Sequence, residues 1–501
     1  MSFPRTTLIV ARIGLVFVGL LVASLLAEGF ARLRDGQPLF SKHLEPVAKV
    51  PGSLPLDAGI GGGPLPADVH ADWLAHPPAP RQRPPDPLLV ARAAQAERNG
   101  AVGFESVRVW NGEWARLHGC DPGSTLRRLP QPIAVFDSPP GADQVPFRYP
   151  ANSSLPGGLV TNRFGFRGPD VPIDKPPATI RIAFVGASTT VGLWHLPWSY
   201  PELVLHWLNV WATENRLPVR FDGVNAGREG ISSGGIVAVT AQEVLPLEPD
   251  LVVYYEGANQ SLCTVPAADA PPRPTATDRL ATLDALATRW QDVSQLARRV
   301  RGAILRAQMR GGDEPAKPSL PRNPARDAYA VPAQLDRKDL PAKERQILAD
   351  LDRLRRTVAD SGAQLVLTSF EWLVADGLQL DPLRDAVIFR HLNELCWPYR
   401  YADLRRAADL HNGLVAAFAD RYHVPFIDVA GFFPDDPRLF FDAVHLNADG
   451  TRVQAWITFR GLLPLIRAQL ASGAWPRPDR LPQSTHPDLI PPRQLTLDCP
   501  P

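Results

Sequence analysis

From residue 180 to residue 470, short apolar runs alternate with stretches of helical periodicity, and this alternation constrains the fold more than any other feature of the chain. The first run, Ile182-Ala183-Phe184-Val185, has a β-branched residue at each end and stops at Gly186, as a buried strand does. Residues 221–224, 251–255, 364–368 and 425–429 read as four further strands. Between them, residues 200–215, 232–245, 342–360 and 402–421 place apolar side chains at helical spacing. Residues 450–470 predict a last helix, kinked at Pro464. Strands that alternate with helices predict a parallel sheet covered on both faces.

The 501 residues suffice for one large domain with additions, or for two to three domains. A formal net charge of +1 leaves no overall field to recruit nucleic acid. The four cysteines, Cys120, Cys263, Cys396 and Cys499, have no metal-ligand spacing, and export would allow them to form disulfides in any pairing. Much of the proline, 54 residues in all, lies before residue 180 and after residue 472. The predicted organisation is a signal-anchor over residues 1–36, a Pro/Gly-rich linker and irregular region over 37–150, the α/β domain over 151–472, and a Pro-rich tail over 473–501. Short elements are expected in the linker region at 88–98, 104–110 and 133–136.

Residues 8–27 are apolar except for Arg12, close to the roughly 20 residues that span a bilayer. Arg5 and Arg12 precede the uncharged part, and Leu25-Leu26-Ala27 makes a poor cleavage site, which predicts an uncleaved anchor with the rest of the chain outside the cytoplasm. An insert over 266–341 separates the third strand from the next helix. Its helical centre, residues 280–310, ends in Arg298, Arg299, Arg301, Arg306 and Arg310. Such a run is a solvated face or a basic segment resting on anionic lipid. Residues 318–324 read as a loop.

Four strand ends carry polar residues suited to catalysis. Ala187-Ser188-Thr189-Thr190 follows the first strand, where open α/β sheets place their ligands; a helix cap is the plainer reading. Asn225-Ala226-Gly227-Arg228-Glu229-Gly230 follows the second, with glycines whose N–H groups can point at a ligand. Arg228 and Glu229 read as a surface ion pair or as substrate contacts. Glu256-Gly257-Ala258-Asn259-Gln260 follows the third, and an asparagine there is also a common turn residue. Asp442-Ala443-Val444-His445 precedes the last helix. A carboxylate three residues before an imidazole can hold one ring nitrogen and leave the other free to take a proton. Residues 161–168, Thr161-Asn162-Arg163-Phe164-Gly165-Phe166-Arg167-Gly168, read as an ordered loop packed on the domain or as part of a pocket rim.

Taken in order, these blocks resemble the SGNH hydrolases, the GDSL-like esterase superfamily, and the 162–168 loop resembles its membrane-anchored bacterial members. The resemblance implies a flavodoxin-like three-layer α/β/α sandwich on a five-stranded parallel sheet. It implies Ser188 as nucleophile and His445 as base, oriented by Asp442, with an oxyanion hole from the Ser188 and Gly230 N–H groups and the Asn259 side chain. Gly230 rather than Gly227 takes that place by its spacing after Asn225. Ala187 and Gln260 stand where the family often has aspartate. No metal or cofactor is implied. The expected activity is hydrolysis of an O-acetyl or other acyl ester on an envelope glycan or lipid. The alternatives are an O-acyltransferase with the same triad and a binding or assembly protein without turnover.

Overall fold

The computed structural model describes residues 5–41, 63–80, 158–257, 278–291, 293–312, 333–374 and 401–477, with shorter stretches and single residues between them. The elements expected at 104–110 and 133–136, most of that at 88–98, the 318–324 loop, the four cysteines, Gln260 and the tail beyond residue 477 lie outside the described residues.

In chain order the elements are α1 (Arg5–Arg34), β1 (Thr179–Gly186), α2 (Ser188–Val191), α3 (Tyr200–Glu214), β2 (Arg220–Asn225), α4 (Ser233–Val239), β3 (Leu251–Tyr255), α5 (Asp278–Trp290), α6 (Gln295–Gly312), α7 (Ala342–Asp360), β4 (Gln364–Thr368), α8 (Tyr401–Arg421), β5 (Phe426–Ile427), α9 (Val429–Phe432) and α10 (Ala448–Ala471). They fall into two compact units. One comprises Met1–Gly52, Pro271–Leu320 and Gln379–Phe389; the other holds Ser53–Ala270, Pro321–Leu378 and Arg390–Pro501.

The second unit contains a five-stranded sheet in the order β2-β1-β3-β4-β5, every pairing parallel. This is the flavodoxin-like order. The chain moves outward from β1 to β2, then crosses back to β3 on the other side of β1, so the carboxyl ends of β1, β2 and β3 meet where the winding reverses. Helices α3 and α10 pack together, and α7 packs with α4 and α8, which gives a layer on each face of the sheet. Between α3 and α10, Trp207 and Trp456 meet edge to face at 5.1 Å.

Strand β1 begins three residues earlier than its apolar run predicts. Arg181 lies inside it, fully buried, and its guanidinium pairs with Asp222 through two 2.9 Å bonds. A charge that reads as a strand boundary is accommodated because its partner sits on the neighbouring strand. Helix α3 starts where Glu202 accepts from both the N–H and the hydroxyl of Ser199, each at 2.8 Å, with Pro201 in its first turn. The helix expected over 232–245 is α-helical only to Val239, continues as a π turn over Thr240–Val244, and tightens at Leu245–Leu247 before Pro249. Strand β5 is two residues long rather than five, because the Asp428 carboxylate turns back to accept from Gly431 N at 3.0 Å and starts α9. Pro464 lies within α10, which continues to Ala471.

In the first unit, α1 covers the apolar run expected over residues 8–27, and Leu15, Val18, Leu25 and Leu26 are exposed. The side chains of residues 5–14 are outside the description. Among the described residues, no helix is long and apolar enough to cross a membrane. The insert contributes two helices, α5 and α6, in place of the single helical stretch read at 280–310.

Candidate active site

Three of the polar residues at the sheet's carboxyl edge, Ser188, Asp442 and His445, converge. The Ser188 hydroxyl donates to His445 Nε2 at 2.8 Å, and His445 Nδ1 donates to Asp442 Oδ2 at 2.8 Å. The serine and histidine are 257 residues apart in sequence. Ser188 is the first residue of α2, so β1 aims it and the short helix holds it. Asp442 and His445 lie in the loop before α10, where Asp442 Oδ1 accepts from Val444 N at 2.9 Å and His445 N at 2.8 Å. Those two backbone bonds fix the carboxylate, so its other oxygen meets the imidazole. His391 Nδ1 also faces Asp442 Oδ1, at 3.5 Å.

Electrostatics favour the charged pair. Burial alone would raise the Asp442 carboxyl, but His445 and His391 hold it well below the usual carboxylate range. Burial alone would lower the His445 imidazole, yet the Asp442 charge and hydrogen bond, with smaller help from Glu256 and Glu229, raise it above its ordinary value. The imidazole is thus a stronger base than histidine in water.

Of the two candidate glycines, Gly227 is packed shut. A Cβ there would stand 2.3 Å from Val191 N, and its own N–H donates to Asn225 Oδ1 at 3.1 Å. Gly230 is exposed, has φ +68°, and would meet nothing within 4 Å. The left-handed backbone there suits glycine. Asn259 is exposed at the end of β3; its N–H donates to Glu256 Oε1 at 2.9 Å. One hydrogen of its carboxamide goes to the carbonyl of Ile231, next to Gly230, at 3.0 Å. A carboxamide has two such hydrogens, so the bond that orients the group leaves a second donor.

Several residues around the site were not legible as site residues. Asn225 Nδ2 donates to Thr190 O at 2.9 Å and so ties β2 to the serine helix. Thr190 Oγ1 donates to Tyr255 O at 3.0 Å and ties β3 to the same helix. Arg167, fully buried, donates to the carbonyls of Val191 at 2.7 Å, Leu193 at 3.1 Å and Leu196 at 2.9 Å, and pairs with Glu202 at 3.4 Å. The 162–168 loop therefore braces the segment that follows the serine. Its turn is closed by Asn162 Oδ1, which accepts from Phe164 N and Phe166 N.

Arg228 and Glu229 do not form a surface pair. Arg228 is fully buried and binds Glu243, which also accepts from Arg148 Nε at 2.5 Å. Glu229 points the other way and accepts from Tyr149 Oη and Trp194 Nε1; burial raises its carboxyl. Each is held by its own partners, Arg228 by Glu243 and Glu229 by Tyr149 and Trp194, so neither meets the other. Ala187 is fully buried in the apolar cluster with Val185, Val191 and Val224. Among the described residues, no group of three or more His, Cys, Asp or Glu is placed to hold a metal ion.

No model of a known protein family matches the chain, and no curated protein matches it. The chain resembles solved structures of GDSL-like lipases and acetyl xylan esterases. A GDSL-like lipase from Bacteroides thetaiotaomicron is 12% identical with a TM-score of 0.28, over 57% of this chain and 88% of that one. An acetylxylan esterase from Geobacillus stearothermophilus is 15% identical with a TM-score of 0.31, over 56% and 94%. A further acetyl xylan esterase is 14% identical with a TM-score of 0.31, over 56% and 98%.

Proposed function

We propose that this protein is a serine hydrolase of the SGNH type that cleaves carboxylic esters through an acyl-enzyme. The observation that carries the reading is the continuous relay from Ser188 through His445 to Asp442, both links 2.8 Å long. A serine hydroxyl is a weak nucleophile until a base takes its proton. In this scheme His445 Nε2 accepts that proton as Oγ bonds the ester carbonyl carbon, and the Asp442 carboxylate stabilises the imidazolium. The carbonyl oxygen becomes an oxyanion, met by the Ser188 and Gly230 N–H groups and the spare Asn259 N–H. The intermediate collapses, the C–O bond to the alcohol breaks, and His445 returns the proton to the departing alkoxide. Water then attacks the acyl-serine, giving up its proton to His445. The acid leaves and Ser188 regains its hydrogen.

The substrate we propose is an O-acetyl or other acyl ester on an envelope glycan or lipid, reached by a catalytic unit held at the membrane by α1 on the extracytoplasmic side. This part rests on the sequence of α1, apolar over 8–27 except for Arg12, with Arg5 and Arg12 ahead of the uncharged stretch 13–27. A fluorophosphonate probe tests the catalytic reading: the wild-type protein is labelled and a folded Ser188→Ala variant is not. Folded wild type that resists labelling overturns it in favour of a binding protein. Product analysis with and without a glycan acceptor separates hydrolysis from acyl transfer.

A further inference from the structure

The first unit joins α1 to the α5–α6 hairpin through a compact polar clamp. The Glu28 carboxylate accepts from Ser294 Oγ at 2.8 Å, Gln295 N at 2.8 Å and Leu296 N at 2.9 Å. It therefore caps α6, supplying acceptors that the first turn of a helix lacks. Arg32, buried, donates to Glu28 at 2.6 Å and to the carbonyls of Pro38 at 2.9 Å, Ser41 at 2.8 Å and Val293 at 2.6 Å. Asp35 accepts from Gln295 Nε2 at 2.6 Å and from Arg299 at 2.6 and 2.9 Å.

The position of this clamp is informative. Glu28 is the first charged residue after the uncharged stretch 13–27. From Glu28 to Asp35 the helix rises about 10 Å, against a headgroup layer of roughly 5–8 Å on each side of a bilayer. The turn between α5 and α6 and the first turn of α6 are thereby fastened at the level of the headgroups of a membrane that α1 enters.

The hairpin's surface fits that place. Leu283, Leu286 and Trp290 stand at i, i+3 and i+7 on α5, 48%, 51% and 54% exposed. Leu296 and Val300 stand at i and i+4 on α6 and are exposed as well. The described arginines of α6 are occupied within the unit: Arg298 donates to the Gln291 carbonyl at 2.8 Å, Arg299 pairs with Asp35, and Arg301 donates to Gln291 Oε1. These exposed side chains of α5 and α6 are thus apolar with a tryptophan, and Arg289 is exposed in the last turn of α5 beside Trp290; apolar residues with a tryptophan and a flanking cation are the composition that settles at the boundary of headgroups and acyl chains.

We infer that the α5–α6 hairpin is a lipid-embedded foot of the anchor, with Leu283, Leu286, Trp290, Leu296 and Val300 in the boundary layer of the bilayer that α1 enters. The inference rests on the reading of α1 as an anchor. It assigns the insert a membrane contact held by apolar burial and not by cationic attraction to anionic lipid.

The test reconstitutes the full chain into nanodiscs of phosphatidylethanolamine and phosphatidylglycerol, with a photo-reactive phenylalanine derivative in place of Val18, Leu286 or, as the control, Ala285. The control position is exposed too, but it is turned about 100° around α5 from Leu286 and further from the rest of the stripe. Lipid adducts are expected from positions 18 and 286, not from 285, and the adduct at 286 is expected to persist in high salt. Loss of the lipid adduct at 286 overturns the foot, and with the adduct at 18 intact it leaves the anchor standing. An adduct at 286 without one at 18 overturns the anchor, and with it the hairpin as a foot of that anchor. Equal lipid adducts at 285 and 286 overturn the one-sided burial of the stripe. An adduct to protein at 286, or one lost in high salt, overturns the apolar lipid contact. Position 283, on the same stripe, serves if the variant at 286 misfolds.

Discussion

The two ends of the sheet both bury charge, and they use it differently. At the amino end, Asp250 is fully buried and accepts from Lys175 Nζ at 2.7 and 2.8 Å, Arg181 N at 2.7 Å and Arg477 Nε at 3.2 Å. Arg181 beside it spends its guanidinium on Asp222 and on the carbonyl of Leu247 at 2.7 Å. Protein groups that cannot leave hold both residues. At the carboxyl end, Asp442 is held just as firmly, but the relay it starts ends on the Ser188 hydroxyl, in a half-exposed residue. A fully compensated charge network stabilises a fold; a relay whose last proton has somewhere to go can react.

Substitutions at the two ends should therefore separate stability from turnover. Ser188→Ala should give the largest effect, a loss of about 10⁴-fold or more in kcat toward an activated ester, with the melting temperature unchanged. A fall in stability of the same variant would merge the two ends and break the contrast. Asp250→Ala should do the reverse. Leaving Lys175 and Arg477 without their carboxylate, and the Arg181 N–H without its acceptor, should cost about 3 kcal/mol in denaturant unfolding, while the folded fraction keeps its rate of fluorophosphonate labelling.

Asn259→Ala should sharpen the picture of the reactive end. Loss of the oxyanion donor proposed above should lower kcat about 10²–10³-fold with little change in KM, whereas a change confined to KM would assign Asn259 to ground-state binding. The smallest effect is on pH. Only neutral His445 can take the serine proton, and its pKa is raised, so kcat/KM should fall as pH drops, with a half-point above the ordinary value of about 6.5. Asp442→Asn removes the charge that raises it, so any residual activity should have its half-point at lower pH. An acid limb that stays in place would show that the Asp442 charge does not set it.

Much of the fold was legible because its signals are local. Strands β3 and β4 and helix α7 begin and end at the residues that periodicity gives, since burial of one face repeats at a fixed interval along the chain. Strand β1 and the residues around Arg228 were not, because the partners that allow their charges inside, Asp222 and Glu243, lie on other elements. Likewise, no local pattern marks Asn225 or Arg167 as supports of the serine helix, since what each does depends on carbonyls from a different segment.

The sequence by itself determined the alternation of elements, the parallel sheet it demands, and which polar residues stand at the strand ends. Tertiary structure decided which of them meet. Strand order 2-1-3-4-5 brings the ends of β1, β2 and β3 together and returns the loop before α10 to the same edge. Backbone geometry sets secondary structure residue by residue, whereas a 2.8 Å contact between Ser188 and His445 exists only once the whole sheet and its covering helices have closed the distance.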